Sequence, residues 1–369
     1  MIDVLLINPG SSNKLYQDLS KKYSAIEPPT WSLLLAKSCQ SQNFKPEIMD
    51  CNAEKLTNDQ ILERIETLNP RLISFVVYGQ NVNAGTTSMK GAVDIANFLK
   101  SKTNRLISFI GSHVQALPVE TLKKEKSIDF VFTNEGVYSL WNILKLKEIT
   151  LKNLTNINGI ALRNDDDEII FNKPEIVVPN DKMDEHLPGY AWELLPYKNK
   201  PFDLYRSPMW HAEYLEENRS PYAAIQTSLG CQFKCSFCMI NTINKESFSE
   251  TISSSQLNSM RFMPLEVLKK SFDYFAENGI HNVRICDEMF FLNRKYYTPI
   301  LENCISENYD FNMWTYSRID TVRPKVLETF KKAGVNWLAL GVEAGNQMVR
   351  QEDGWKINGV QRVEADLSA

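Results

Sequence analysis

The sequence has no excess of positive charge: 41 lysines and arginines stand against 45 aspartates and glutamates, a formal net charge of −4. A nucleic-acid backbone finds no general electrostatic attraction to such a chain, and no local basic patch supplies one. Long apolar runs are also missing. No stretch approaches the ~20 residues that cross a bilayer, and the opening MIDVLLINPG has neither a basic n-region nor a small-residue cleavage site. Neither membrane insertion nor export is expected, and small molecules or peptides remain as substrates. No repeat or low-complexity tract occurs. Cysteines are few but uneven: of seven, three fall within eight residues. That distribution fits metal ligation in a reducing compartment better than a disulfide framework, and places the protein in the cytoplasm.

With 43% hydrophobic and 23% charged residues in 369, the composition is that of a globular protein of two domains. The first half alternates β-rich runs (VLLI at 4–7, PEIMD at 46–50, LISFVV at 72–77, RLISFI at 105–110, DFVF at 129–132) with segments of helical period, TWSLLLAKSCQSQ, DQILERIETL and MKGAVDIANFLK. This α/β alternation predicts a doubly wound, parallel, Rossmann-like sheet of about five strands over residues 1–150. Its ligand crevice is expected at the carboxyl ends of the strands, where Pro9, Gly10, Gly79, Gly111 to His113, Glu135 and Gly136 fall. Residues 151–221 hold a hairpin, turning at Asp165 to Asp167, and a proline-rich linker whose Tyr190, Trp192, Tyr197 and Trp210 suggest that it drapes over both domains. From 222 to 369 strands return at YAAIQTS, NVRICD, FNMWTY and NWLALGV, separated by helices near 264–278, 294–307 and 324–333. These are four β/α units, a partial barrel.

The stretch SLGCQFKCSFCMI sets Cys231, Cys235 and Cys238 at CxxxCxxC spacing directly after an apolar strand. A closed structural zinc site wants four ligands, whereas three thiolates suit a [4Fe-4S] cluster with one iron left open to grip substrate. Gly230 lets the backbone turn sharply off the strand, and Phe237 offers an aromatic face beside the last thiolate. A zinc knuckle completed by Cys286, Cys304 or a histidine is disfavoured, because none of these stands at a paired spacing.

With Cys231, Cys235, Phe237 and Cys238 forming CxxxCxΦC, the chain resembles the radical-SAM superfamily. The resemblance implies that the three cysteines hold a [4Fe-4S] cluster and that S-adenosylmethionine (SAM) chelates its open iron and is cleaved to a 5′-deoxyadenosyl radical. It further implies an electron donor such as flavodoxin or ferredoxin. Phe237 would then sit near the adenine, Asp287 and Glu288 near the SAM amino group, and Arg318 and Glu343 near its carboxylate and ribose. The last four stand at carboxyl ends of predicted barrel strands, the usual active-site rim. Leu229 departs from the family, where many relatives have arginine.

The first half is similar to the cobalamin-binding domain that precedes the barrel in one subgroup of that superfamily, through LLINPG, EPPTWSLLLAKSC, PEIMD, GSHVQALPVETL and DFVFTNEGVYSL, with AWELLP in the linker. Where histidine-ligating corrinoid domains carry DxHxxG, this sequence reads NPGSSNKL. The resemblance therefore implies cobalamin without a histidine on cobalt, held by Gly79, Gly111, Glu135 and Gly136, with His113 near the corrin or simply a satisfied loop residue. The implied reaction is methyl transfer to an unactivated carbon of a small molecule or peptide. A cyclisation or rearrangement with the same cofactors is the second reading, and a non-catalytic corrinoid- or cluster-binding protein with a decayed barrel the third. Four barrel units before the polar ending VEADLSA suggest C-terminal truncation. With only Cys39 and Cys51 in the first half, a second cluster is not expected there.

Overall fold

The computed structural model describes residues 2–10, 25–79, 85–195, 197, 204–206, 221–233, 238, 260–318, 321–322 and 324–341. The first sheet contains β1 (Val4–Asn8), β2 (Pro46–Asp50), β3 (Leu72–Val76), β4 (Ile107–Ile110) and β5 (Phe130–Phe132), all parallel, in the order β2-β1-β3-β4-β5. Every residue of β3 and β4 is buried. That is why LISFV and ISFI are continuously apolar apart from a serine each, rather than alternating: both faces of a central parallel strand are covered.

Helices α1 (Thr30–Ser41), α2 (Asn58–Leu68), α3 (Gly85–Lys102), α4 (Ser112–Ala116), α5 (Pro118–Lys124), α6 (Val137–Leu144) and α7 (Leu151–Leu154) connect and flank these strands. The start of α2 is fixed by a capping box, in which the Thr57 side chain accepts from the Gln60 amide and the Gln60 side chain accepts from the Thr57 amide. The expected doubly wound sheet is present, with an addition. A hairpin of β6 (Ile160–Arg163) and β7 (Ile169–Phe171) joins it antiparallel beyond β5, making seven strands. Its tip is the acidic turn, closed by Asn164, which accepts from the amides of Asp166 and Glu168, while Asp167 pairs with Lys126 and Arg163.

The second sheet is parallel throughout, in the order β13-β12-β11-β8, from β8 (Tyr222–Ile225), β11 (Asn282–Ile285), β12 (Asn312–Arg318) and β13 (Val335–Gly341). Helices α9 (Leu265–Glu277), α10 (Arg294–Ser306) and α11 (Pro324–Lys332) separate the strands, as the sequence predicts; short α8 (Met183–His186) lies in the linker. An element without sequence signal is the two-residue ribbon of β9 (Ser228–Leu229) against β10 (Arg261–Phe262).

One face of the first sheet packs on α2 and α3 through Ile61, Ile65, Ala92 and Ala96. The other packs on α1 and α6, and its core is continuous with that of the second sheet, from Leu6 and Phe132 through Leu34, Trp192 and Leu195 to Ala223, Val283 and Ile285. The linker supplies the join. Tyr190 Oη donates to the Gln226 carbonyl (2.7 Å) and accepts from the Gln226 amide (2.8 Å), Trp192 Nε1 donates to Ser271 Oγ (3.0 Å), Tyr197 Oη donates to the Tyr222 carbonyl (2.9 Å) and Tyr205 Oη donates to Asp50 Oδ2 (3.0 Å).

Candidate active site

The cysteine loop is positioned by the ribbon that precedes it. β8 runs through Gln226 and Thr227 into β9, the chain turns at Gly230 with φ +87°, and Cys231 follows. β10 braces this segment from one side, with the Met263 amide donating to the Thr227 carbonyl (2.9 Å). Asp287, at the end of β11, braces it from the other. Asp287 is fully buried and accepts from the Thr227 amide (2.5 Å), Thr227 Oγ1 (2.6 Å) and Ser228 Oγ (2.6 Å). Burial still pushes its carboxyl up to about 6 despite those donors. Cys231 and Cys238 are partly exposed, as ligands of an added group must be. Cys235, Phe237 and Glu343 lie outside the described residues.

Adjacent Glu288 behaves differently from Asp287. Its Oε2 is buried without a hydrogen-bond partner, and its carboxyl is pushed up to about 8, by burial first and then by the Asp287 charge. A buried acceptor left unmet is costly unless a ligand meets it. At the end of β12, buried Arg318 lies over the Phe233 ring, 4.0 Å from its centroid, which ties this strand end to the cysteine loop. The structure therefore brings Cys231, Phe233, Asp287, Glu288 and Arg318 to the carboxyl ends of one parallel sheet, with Asp287 holding the loop and Glu288 leaving one buried oxygen unmet. Soft thiols, an unmet acid and an arginine fit a [4Fe-4S] cluster with SAM.

In the first domain the expected loops do stand at the strand ends. Gly79 follows β3. Gly111 is required by close packing, since a Cβ there would lie 2.2 Å from the Val77 carbonyl oxygen. Gly136, with φ +85° at the start of α6, leaves a Cβ only 2.2 Å from Ile110 Cδ1. Gly136→Ala is expected to lower stability by about 1–3 kcal/mol, from both the backbone region and the overlap; urea unfolding of the purified chain measures it. His113 Nδ1 is 3.2 Å from Thr86 Oγ1, and burial, then Lys124, holds its pKa below the usual histidine value. It lies in α4 rather than in a loop. Ser112 Oγ, at the start of α4, is buried without a hydrogen-bond partner and packs against Gly85, where a Cβ would lie 2.3 Å from it. Glu135 is turned away, toward the second domain.

Comparison with known proteins decides the family. Residues 225–365 match the radical SAM superfamily, and residues 17–143 match the B12 binding domain. The chain is a radical SAM superfamily protein with a B12-binding domain. It is similar to an uncharacterized methyltransferase of Pyrococcus horikoshii, at 23% identity over all of this chain and 71% of that protein. It is also similar to the hopanoid C-3 methylase of Methylococcus capsulatus, at 25% identity over 88% of this chain and 55% of the methylase. In fold it resembles the cobalamin-dependent SAM radical enzyme OxsB, solved with aqua-cobalamin and SAM, with a TM-score of 0.68 and 19% identity over 97% of this chain and 46% of OxsB. The chain thus spans about half the length of two of these three proteins.

Among the described residues, two ion pairs that sequence reasoning missed join the B12-binding and radical SAM domains. Glu135 pairs with Arg261 (2.7 Å), and Glu27 pairs with Arg284 of β11. Arg284 also donates to Tyr316 Oη and lies 4.0 Å from the Trp314 ring centroid and 5.0 Å from that of Tyr316, while Tyr222 Oη donates to Glu27. An arginine inside the apolar strand NVRICD was a readable signal for the second pair. For Arg261, in a segment without periodicity, there was none. The remaining cysteines are no ligand set: Cys39, Cys51, Cys286 and Cys304 are buried, with thiols pushed up by burial.

Proposed function

We propose that this protein is a cobalamin-dependent radical SAM methyltransferase acting on an unactivated carbon of a small molecule or peptide in the cytoplasm, with an electron donor such as flavodoxin or ferredoxin. The observation that carries the reading is the unmet buried oxygen of Glu288 on the same sheet end as the cysteine loop, beneath a B12-binding domain whose core is continuous with it. When bound, the cluster supplies the electron that cleaves SAM and the corrinoid supplies a methyl carrier. The chain's own residues supply the rest. Cys231, Cys235 and Cys238 would hold the cluster; Glu288 would accept from the SAM amino group; Arg318, fixed over Phe233, would offer its guanidinium to the carboxylate. Asp287 keeps the loop in register by holding Thr227 and Ser228. Gly79, Gly111, Ser112 and Gly136 shape the corrin-side loops, and the continuous core excludes water between the domains. Similarity to a methylase and a methyltransferase supports methyl transfer as the first reading, and similarity to the anaerobic magnesium-protoporphyrin IX monomethyl ester cyclase of Rubrivivax gelatinosus, at 22% identity over 94% of this chain, keeps cyclisation or rearrangement as the second.

The test is anaerobic reconstitution with iron, sulfide and hydroxocobalamin, followed by dithionite and SAM. About four irons per chain, a retained corrinoid band, 5′-deoxyadenosine and S-adenosylhomocysteine are expected. A cluster without corrinoid would sink the methyltransferase reading, and bound zinc without a cluster would sink the whole.

A further inference from the structure

We infer that Glu135 and Arg261 form a positioning pair that sets the cysteine loop of the radical SAM domain against the corrin-side loops of the B12-binding domain. The purpose of that register rests on the proposed function; the geometry stands without it.

Glu135 directly precedes the left-handed Gly136 at the start of α6, and its backbone is held in place. The Gly136 amide donates to Asn134 Oδ1 (2.9 Å), Asn134 Nδ2 donates to the Glu175 carbonyl (2.9 Å), and Trp31 Nε1 donates to the Glu135 carbonyl (3.2 Å). Its carboxylate then makes two commitments. Oε1 accepts from the Val178 amide (2.6 Å), and Oε2 accepts from Arg261 Nη2 (2.7 Å), while Arg261 Nη1 donates to the Val178 carbonyl (2.9 Å). Acid and guanidinium thus close a ring around the backbone of one linker residue. Two residues on, Asn180 Oδ1 accepts from the Phe262 amide (2.8 Å), so the linker grips β10 twice.

Arg261 transmits this grip to the chemistry. Its backbone pairs with Leu229 in the β9–β10 ribbon, two residues before Cys231. A continuous line of hydrogen bonds therefore runs from the β5–α6 loop through Glu135, Arg261 and β10 to β9 and the cysteine loop. Both side chains are buried, and a guanidinium does not lose its proton, so one arrangement satisfies the pair and any slip leaves a charge unmet. Buried ion pairs add little net stability against apolar replacements; what such a pair can fix is register. The second pair, Glu27 with Arg284, has the same polarity, acid on the B12-binding domain and arginine on the radical SAM domain.

The test uses the full chain with Glu135→Gln and the charge-keeping Arg261→Lys, whose single ammonium cannot fork between Val178 and Glu135. In hydrogen–deuterium exchange without cofactors, Glu135→Gln is expected to speed exchange of the amides at 227–231 by about tenfold, and Arg261→Lys those at 134–137, with α2 and α9 unchanged. Faster exchange confined to each substituted residue's own domain would overturn the inference. With the reconstituted protein, the distance between cob(II)alamin and the reduced cluster, read by pulsed electron paramagnetic resonance, is expected to shift or broaden in both variants at unchanged cofactor content. An unchanged distance would equally overturn it. Failure of the unsubstituted chain to bind cofactors would instead count against the proposed function, and the exchange measurement alone would then decide the pair's role.

Discussion

Replacing any one of Cys231, Cys235 and Cys238 by serine will leave the chain folded and strip it of iron, with 5′-deoxyadenosine formation lost. Three thiolates leave the cluster no spare ligand, and a serine hydroxyl stays protonated where a thiol ionises to bind soft iron. Removal of an outer-shell partner costs a metal site roughly 10- to 100-fold, and the loss of a direct ligand is expected to exceed that. Among the described residues, no other cysteine can stand in. Cys286 is close in sequence to the site but buried, with its Sγ directed at the Arg284 carbonyl; the Cys304 thiol is pushed up to about 12 by burial. The fold survives because the bonds from Thr227 and Ser228 to Asp287 hold the loop entrance without any cluster. Iron and sulfide content, visible absorbance and far-ultraviolet circular dichroism measure the three parts of this expectation. Cys286→Ser and Cys304→Ser are the controls, and iron retained by Cys231→Ser at the unsubstituted level would refute the assignment.

What the sequence made legible was whatever repeats or is spaced. Continuous β-rich runs and three-to-four-residue periods gave the parallel strands of both sheets and the three helices of the second domain to within two or three residues, because burial on one or both faces imposes those patterns directly. The cysteine triplet was legible because ligand spacing is a local property. Illegible were features created by contact between distant segments. Asp287 and Glu288 are neighbours of the same charge type, yet one is saturated by Thr227 and Ser228 and the other is left with an unmet oxygen; nothing in the letters DE separates them. Glu135, expected beside a cofactor because it follows a strand, gives one oxygen to the linker at Val178 and the other to Arg261 across the domain boundary. Its partner lies 126 positions away, in a ribbon too short to have a period.

Glu288→Gln is expected to stabilise the cluster-free chain and to impair it as an enzyme. The Glu288 carboxyl is raised from an ordinary 4.5 to about 8 in the fold, with burial the leading cause. The folded state therefore holds a proton that the unfolded chain releases, and the stability tied to that proton is complete below about pH 4.5 and lost as pH rises toward about 8. Over that window the loss approaches about 1.4 kcal/mol per pH unit. Glutamine does not ionise, so urea unfolding should show the variant ahead of the unsubstituted chain by about 2 kcal/mol at pH 8, by less at pH 6.5 and not at all near pH 4.5, once its own buried amide is set against the gain. Toward SAM the sign reverses. A neutral amide cannot balance a cationic group, and the loss of one hydrogen bond to a charged partner, about 1.5–3 kcal/mol, weakens binding roughly 10- to 100-fold by equilibrium dialysis. The two effects share one cause, a carboxylate held in a dry place at a cost that a bound cation offsets. A variant that bound SAM normally while gaining the stability would show that the Glu288 Oε2 is kept from water for some reason other than the cofactor.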